Sequence, residues 1–575
     1  MAPRKASTGP RDLSGAARLS GSKARKTSAA SNWANALPVQ PQLPPIRVVR
    51  GTVAKSAQVK AAQCDLLAVG VGTGPDGLEP GRGAAAASVR YGIDLAATAE
   101  RRGFTGAAGQ SVVIDLPVLH ETPRWEGLAP AIALVGVGNA TPSEYRQAGA
   151  ELARIAQACR QPAQPAAKTG KPAARNSRPP AGRITATLAA RAPERTEALI
   201  EGYLSGSYHR HKVGLEAAAK PRRSWELTLL GSHERTAVDR GQAVGTVEAL
   251  AKDLANWPSD GKTPATFAAA AAVAAANRAA VQIQAMGPEE LKQAGLEAIL
   301  AVGSGAWRGP AADPERSPRL VIASYDPPDI KAAPHLVIVG KGCTFDTGGL
   351  DLKPNAGMIG MRTDMAGAAA ALAAVLGAAD LGLRLKVSAV LPLAQNSLGA
   401  AAFRPSDVIT IYGGIKVEVG DTDAEGRLLM ADALAYAAAN LRADYLLDIA
   451  TLTGAVRVAL GTKTAGVFTE DDGLAARLEE AGQAAGEDWW RLPLVAEYGA
   501  GLESDAADVN TVARPGVGGG AITAALFLQR FAGGTRWAHL DIAGAARKAA
   551  GSGAASPEAT GFGVRSLIRL AERLA

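Results

Sequence analysis

The sequence predicts an α/β protein with a smaller N-terminal α/β domain and a larger C-terminal α/β domain built on a mostly parallel central sheet. Three observations carry this. Continuous apolar runs of strand length, such as AIALVGVG and HLVIVG, recur between turn residues, as expected of strands covered on both faces. Segments of helical length alternate with them, and such alternation argues for parallel pairing through helical crossovers. The chain has 575 residues, 47% of them hydrophobic, which is enough for more than one core and too apolar for a disordered chain.

Residues 1–45 mix Ser, Ala, Gly, Pro, Lys and Arg without periodicity. They are read as a disordered basic tail, because this composition buries too little apolar area to offset chain entropy. The tail lacks the apolar region of a secretory signal. Its acid-poor start resembles an organelle transit segment, but Pro and Gly interrupt any amphipathic helix.

The N-terminal domain is assigned to residues 46–232. Its strands are IRVV, CDLLAVGVG, VVIDLP, AIALVGVG, RITATLAA and SWELTLLG, with helices over Ser143 to Cys159 and near Glu194 to Tyr203. A Pro/Ala/basic stretch, 160–183, interrupts it as a flexible surface insert. A long helical segment from Arg235 to Asn256 leads into the C-terminal domain, 235–575. There HLVIVG, LKVSAVLPL, VITIY, IKVEV, YLLDIA and WAHLDIAG read as strands. AGAAAALAAVLGAADL, RLLMADALAYAAANL and AITAALFLQRF read as helices.

Composition narrows the function classes. Three cysteines, Cys64, Cys159 and Cys343, are too few and too scattered for a disulfide framework, and no C-x-x-C pair marks a zinc knuckle. The longest apolar run, Phe267 to Ala276, is short of the roughly 18 residues of a membrane span, so no membrane partner is expected. The net charge of +8 at first points to nucleic acid. Its location argues otherwise: residues 1–45 carry +6 and the insert another +6, leaving −4 on the folded remainder.

Parallel sheets form sites beyond the carboxyl ends of their strands. HLVIVG runs into Lys341 and then Asp346, IKVEVG into Asp421, Asp423, Glu425 and Arg427, YLLDIA into Thr451 and Gly454, and WAHLDIAG ends at Ala543 and Gly544. Asp364 lies just before the Ala-rich helix. At i, i+2 spacing past a strand, Asp423 and Glu425 are expected on one side. With Asp346 and Asp364 they make four acids that need cations in one cleft. Lys341, Lys353 and Arg427 supply part of this charge, and divalent metals supply the rest.

VGKGCTFDTGGLDLKP, MRTDMAGAAA, DTDAEGRLLMADALAY, ATLTGA, GGGAITAALF and WAHLDIAG, in this order, resemble the leucyl aminopeptidase (cytosol aminopeptidase) family over residues 235–575. The resemblance implies a metallopeptidase domain with two divalent ions, Mn or Zn, with Mg or Co as alternatives. By it Asp346 and Glu425 bridge the ions, Lys341 and Asp364 complete the tighter site, and Asp423 belongs to the exchangeable one. Lys353 matches the catalytic lysine that polarises the scissile carbonyl. Arg427 matches the arginine that holds a bicarbonate ion, the proton relay from the nucleophile. The implied reaction is release of N-terminal amino acids, Leu or Met by preference, from peptides with a free N-terminus through attack of a metal-bridging hydroxide. Met361, Thr451, Gly454, Ala543 and Ala546 match the pocket for the first side chain. The family also implies a homohexamer in the cytoplasm.

Two positions depart from the pattern: Asp421 stands where the family usually has Asn, and Thr347 where it has Ser. Cys343, between Lys341 and Asp346, is read as a packing side chain because no His or Asn partner is evident. His539, inside an apolar strand, is read as a core residue. The alternative function is an additional DNA-binding or regulatory role through the tail and insert, which are basic enough to contact phosphates. No helix-turn-helix, zinc finger or aromatic platform accompanies it.

Overall fold

The computed structural model describes residues 41–75, 77–117, 124–158, 182–189, 191–210, 225–309, 313–328, 330, 332–548 and 558–575. Most of the basic tail and of the insert, together with Cys159, lies outside these residues. The chain divides into two bodies. One comprises Gln40–Asp253 with Glu480–Glu487, and the other Leu254–Glu479 with Asp488–Ala575.

The first body contains β1 (Ile46–Val49), β2 (Leu66–Gly74), β3 (Gly77–Pro80), β4 (Ser111–Asp115), β5 (Ala131–Gly138), β6 (Gly182–Thr187) and β7 (Trp225–Leu230). The sheet order is β1-β7-β6-β2-β5-β4, with β3 on β2. The pairs from β1 to β5 are parallel, and β4 joins the edge antiparallel. Alternation sorts β2 between two cores: Leu66 and Ala68 enter one cluster, Leu67 and Val69 the other. Two helices, Pro142–Ala158 and Pro193–Ser207, pack closely through glycines. A Cβ on Gly149 would lie 2.1 Å from the Leu199 carbonyl oxygen, and one on Gly202 would lie 1.9 Å from that of Arg146.

Two boundaries differ from the sequence reading. Gly182, expected in the insert, is already strand, as is Arg183, a position shared by the expected insert and the expected strand RITATLAA: Arg183 is fixed by Asp65, which accepts its backbone N–H at 2.9 Å and pairs with its guanidinium at 2.9 Å. The helix Arg235–Asn256, expected with the second domain, belongs to the first body as far as Asp253.

The second body is built on β8 (Val281–Met286), β9 (Arg319–Tyr325), β10 (His335–Gly340), β11 (Gly342–Asp346) and β12 (Lys386–Asn396). It continues through β13 (Val408–Thr410), β14 (Lys416–Glu418), β15 (Tyr445–Ala450), β16 (Thr464–Phe468), β17 (Asp488–Arg491), β18 (Val509–Asn510) and β19 (Trp537–Asp541). The main sheet runs β17-β16-β19-β15-β10-β12-β9-β8, with β11 on β12. Its centre, β19, β15, β10 and β12, is parallel, so these strands end at one edge. The strands β9 and β8 join antiparallel, and β16 runs antiparallel to β19. These flanking strands were not read from the sequence.

Two expected strands are elsewhere: VITIY forms β13 and pairs antiparallel with β14. The segment IKVEV forms β14 in a separate sheet, β13-β14-β18, rather than in the main one. A strand of three residues carries too little periodicity to reveal its partner.

The Ala-rich helix Ala366–Leu381 lies in the core, with residues 367–378 all buried. The run Asn355–Leu381 has the length and hydropathy of a membrane span, yet 78% of its most apolar window is buried inside the fold. Gly367 lets this helix abut β15, since a Cβ there would sit 2.1 Å from the Ile449 carbonyl oxygen. His539 is fully buried on β19. Its Nδ1 lies 2.6 Å from Asp448, whose other oxygen accepts the Trp537 indole N–H at 2.9 Å.

Candidate active site

The site is assembled beyond the ends of the parallel strands. Lys341 follows β10 directly; its backbone N–H donates to Ile449 at 3.0 Å, and its carbonyl accepts from Ala368 at 2.9 Å. The lysine is thereby held between β15 and the Ala-rich helix. Its Nζ lies 2.9 Å from Asp364 Oδ2 and 2.9 Å from Glu425 Oε1. Gly426 clears the path of this side chain, because a Cβ there would meet Lys341 Cε at 2.6 Å.

Asp346 ends β11. Its Oδ1 accepts the Gly348 backbone N–H and the Asn396 amide, both at 2.9 Å, and its Oδ2 lies 2.8 Å from Lys353 Nζ. Lys353 also donates to Asp423. Asp364, after a short 3-10 turn, accepts the Thr451 hydroxyl at 2.8 Å. Asp423 and Glu425 reach the site from a 3-10 turn, Thr422–Ala424, and the first residue of the helix Glu425–Asn440, not from a continued strand. They face different lysines as a result. Asp421 accepts the Asp423 backbone N–H at 2.7 Å and so caps this turn. Arg427 is half-buried and donates to the Thr511 carbonyl.

A cavity of about 520 Å³ is lined by Lys341, Asp346, Lys353, Asp364, Asp421, Asp423, Glu425 and Arg427 on its polar side. Met361, Thr451, Gly454, Ala543 and Ala546 also line it. The structure therefore brings every sequence-predicted site residue to one cavity. It adds Asn396, which orients Asp346, and the arginines Arg457 and Arg547 on the cavity wall. The signal for Asn396 was a polar residue closing the apolar run of β12; nothing local marked the two arginines.

The charges of this site are strained without cations. Burial, then the neighbouring Asp346, pushes the Glu425 carboxyl well above the usual carboxylate range and Asp423 up to about 6. Burial also raises Asp364, with Lys341 opposing and Asp346 adding to the rise. Burial disfavours both lysine charges, but the carboxylates outweigh it: Asp364 and Glu425 hold the Lys341 ammonium above its ordinary value, and Asp346 and Glu425 do the same for Lys353.

The donor set fits divalent metal ions. Asp364 Oδ2 and Glu425 Oε1 are buried and accept no hydrogen bond, although Lys341 lies at ion-pair distance. Asp346, Asp364, Asp423 and Glu425 gather around Lys341 and Lys353 and offer the oxygen donors that hard or borderline cations take. Ligand atoms of Cys343, Asp346 and Glu425 lie within 4.8 Å of one another. Cys343 is nevertheless fully buried in the hydrophobic core, its thiol pushed up by burial, and it does not line the cavity.

Residues 249–568 match the model of the cytosol aminopeptidase family, catalytic domain. A probable cytosol aminopeptidase of Streptomyces avermitilis is 38% identical over 532 residues, 90% of this chain and 97% of the relative. The chain belongs to the cytosol aminopeptidase family. Among solved structures, the bottromycin maturation enzyme BotP in complex with Mn superposes with a TM-score of 0.71 at 34% identity, covering 89% of this chain and 99% of BotP. A mutant of tomato leucine aminopeptidase gives 0.75 at 28% identity, covering 93% and 98%. The two-domain α/β fold is that of leucine aminopeptidase, and the family makes the chain an aminopeptidase, a hydrolase of peptides.

Proposed function

We propose that this aminopeptidase is metal-dependent and of leucyl type, releasing Leu- or Met-like residues from the N-termini of peptides. The observation that supports it best is the convergence of Lys341, Asp346, Asp364, Asp423 and Glu425 with Lys353 and Arg427 in one cavity. The five ligand-type residues would hold two divalent ions, with Mn or Zn preferred and Mg or Co as alternatives; Mn is favoured by the BotP complex. When bound, the metals supply Lewis-acid charge that neutralises the carboxylates and makes hydroxide available near neutral pH.

The chain's own groups do the rest. Lys353, held protonated among carboxylates, donates to the carbonyl oxygen of the scissile bond and meets the negative charge that develops there. Asp346 is oriented by Asn396 and the Gly348 N–H, so Lys353 is held in place before substrate arrives. Lys341 acts as a ligand once it gives up its proton. Arg427 offers a guanidinium that would hold a bicarbonate ion, which would supply a base beside the nucleophile. Met361, Thr451, Gly454, Ala543 and Ala546 form the pocket for the first side chain, and the free α-amine of the substrate restricts the reaction to chain ends.

By family resemblance the protein assembles as a homohexamer and works in the cytoplasm. The proposed functional domains are 46–232 and 235–575 with a basic tail 1–45 and insert 160–183, although the compact bodies divide at Asp253 and the strand begins at Gly182. Nothing in the structure favours the DNA-binding alternative, whose tail and insert lie almost entirely outside the described residues. The test is hydrolysis of leucine p-nitroanilide by metal-stripped protein titrated with Mn, Zn, Co and Mg, with Glu425→Ala as control. Activity restored by metal and absent from the variant is expected. No activity with any metal, or full activity in the variant, overturns the reading.

A further inference from the structure

Two arginines line the cavity without a side-chain ion pair. Arg457 lies on the helix Gly454–Leu460, three residues after Gly454 and so on the same helical face. Arg547 directly follows Ala546. Each arginine thus adjoins a residue assigned above to the pocket for the first side chain. The remaining cations of the cavity are engaged: Lys341 with Asp364 and Glu425, Lys353 with Asp346 and Asp423, and Arg427 with the Thr511 carbonyl. Among the described residues, neither the Arg457 nor the Arg547 side chain has an ion-pair or hydrogen-bond partner.

The pair is also placed at a cost. Arg547 is partly buried and within electrostatic reach of Arg457, which repels it; its attractive neighbour, Asp364, is already shared with Lys341. Arg457 is exposed and Arg547 half-buried at the cavity wall, and the repulsion between their like charges is relieved when an anion enters between them. Guanidinium groups present paired N–H donors that match a carboxylate, and such charge-assisted bonds are stronger than neutral ones. Ala543 and Ala546 are small, which leaves room for an extended side chain to reach the two cations.

We propose that Arg457 and Arg547 form a carboxylate-binding subsite, so that the enzyme accepts peptides whose first residue carries an acidic side chain. The inference rests on the aminopeptidase reading and extends its substrate class beyond apolar N-termini. The source of the carboxylate is the first side chain rather than the peptide's C-terminus, because both arginines adjoin the first-residue pocket.

The test compares kcat/KM for glutamate, glutamine and leucine p-nitroanilides in the metal-loaded wild type, Arg457→Gln, Arg547→Gln and the double variant. Glutamate and glutamine share a shape, so their ratio isolates charge. Wild type is expected to favour glutamate over glutamine, and the double variant to lower that ratio at least about tenfold, as loss of one charge-assisted hydrogen bond would. Arg547→Lys, which keeps the charge, should restore part of it. An unchanged ratio in the double variant overturns the proposal. A second arm compares Leu-Gly with Leu-Gly amide: if the variants move that ratio and not the first, the arginines hold the peptide C-terminus and the side-chain assignment is overturned. Wild type inactive on every substrate while leucine p-nitroanilide is also untouched refutes the aminopeptidase reading itself, and the subsite with it.

Discussion

Lys341 Nζ lies 2.9 Å from Glu425 Oε1, with the lysine 3% and the glutamate 1% exposed, and that oxygen accepts no hydrogen bond. A buried pair of this kind recovers its desolvation cost only when its remaining valences are satisfied. Under the proposed reading, a divalent cation beside a neutral Lys341 amine would satisfy that oxygen.

Glu425→Gln keeps the shape of the side chain and removes its charge. Outer-shell changes at metal sites cost about 10- to 100-fold in affinity. Loss of a ligand should exceed that, so Mn affinity measured by isothermal titration is expected to fall by more than about 100-fold. Binding at wild-type affinity would remove Glu425 from the ligand set.

Ala546→Met refills the wall of the first-residue pocket with a long, flexible side chain. The rate on Phe and Tyr p-nitroanilides should fall more than the rate on leucine p-nitroanilide, by about tenfold for a clash of 1 to 2 kcal/mol. Equal losses on all three would show that Ala546 does not shape this pocket.

Lys262 is completely buried, and its Nζ donates to the carbonyls of Ala255, at 2.9 Å, and Arg362. Burial drives its ammonium well below the ordinary lysine value. A neutral amine has two N–H donors, matching the two carbonyls. Lys262→Met fills the space but strands both oxygens, at about 1 to 3 kcal/mol each. A drop in Tm of several degrees is expected in a thermal scan, and an unchanged Tm would show that water replaces the amine.

Asp253 titrates at about 6: burial raises it, and the Tyr208 hydroxyl, donating at 2.8 Å, holds it back. The folded chain therefore binds this proton more tightly than the unfolded chain, whose carboxyl titrates near 3.9. Its contribution to stability is complete below about pH 4 and is lost as pH rises through about 6. Asp253→Asn keeps the acceptor for Tyr208 and removes the charge. The Tm of the variant relative to wild type should rise between pH 4 and 7, by at most about 3 kcal/mol in stability. A difference that is flat in pH would place the Asp253 titration outside this window.

Much of this molecule is legible from local pattern. The runs that became β5 and β10 are fully buried along their length, and continuous burial is what an unbroken apolar run encodes. The alternation of such runs with helices implies parallel pairing, and parallel strands place their carboxyl ends together. Lys341, Asp346, Asp364, Asp423 and Glu425 could thus be grouped from strand ends and family motifs alone.

Other features depend on partners distant in sequence, and only the tertiary structure decides them. The strand β14 left the main sheet because its neighbours are β13 and β18, and three residues cannot specify that choice. Asp423 and Glu425 turned toward different lysines because a 3-10 turn and a helix start, rather than strand alternation, orient them. Gly426 looks like any helix glycine until Lys341 is seen to occupy the space a Cβ would take. Arg457 and Arg547, 90 positions apart, become one charged wall only when β15 and β19 pair in parallel and their following loops meet. Sequence determined which chemistries the chain carries; long-range packing determined which of those groups remain paired and which are left facing the cavity, because pairing is settled by distance in space rather than along the chain.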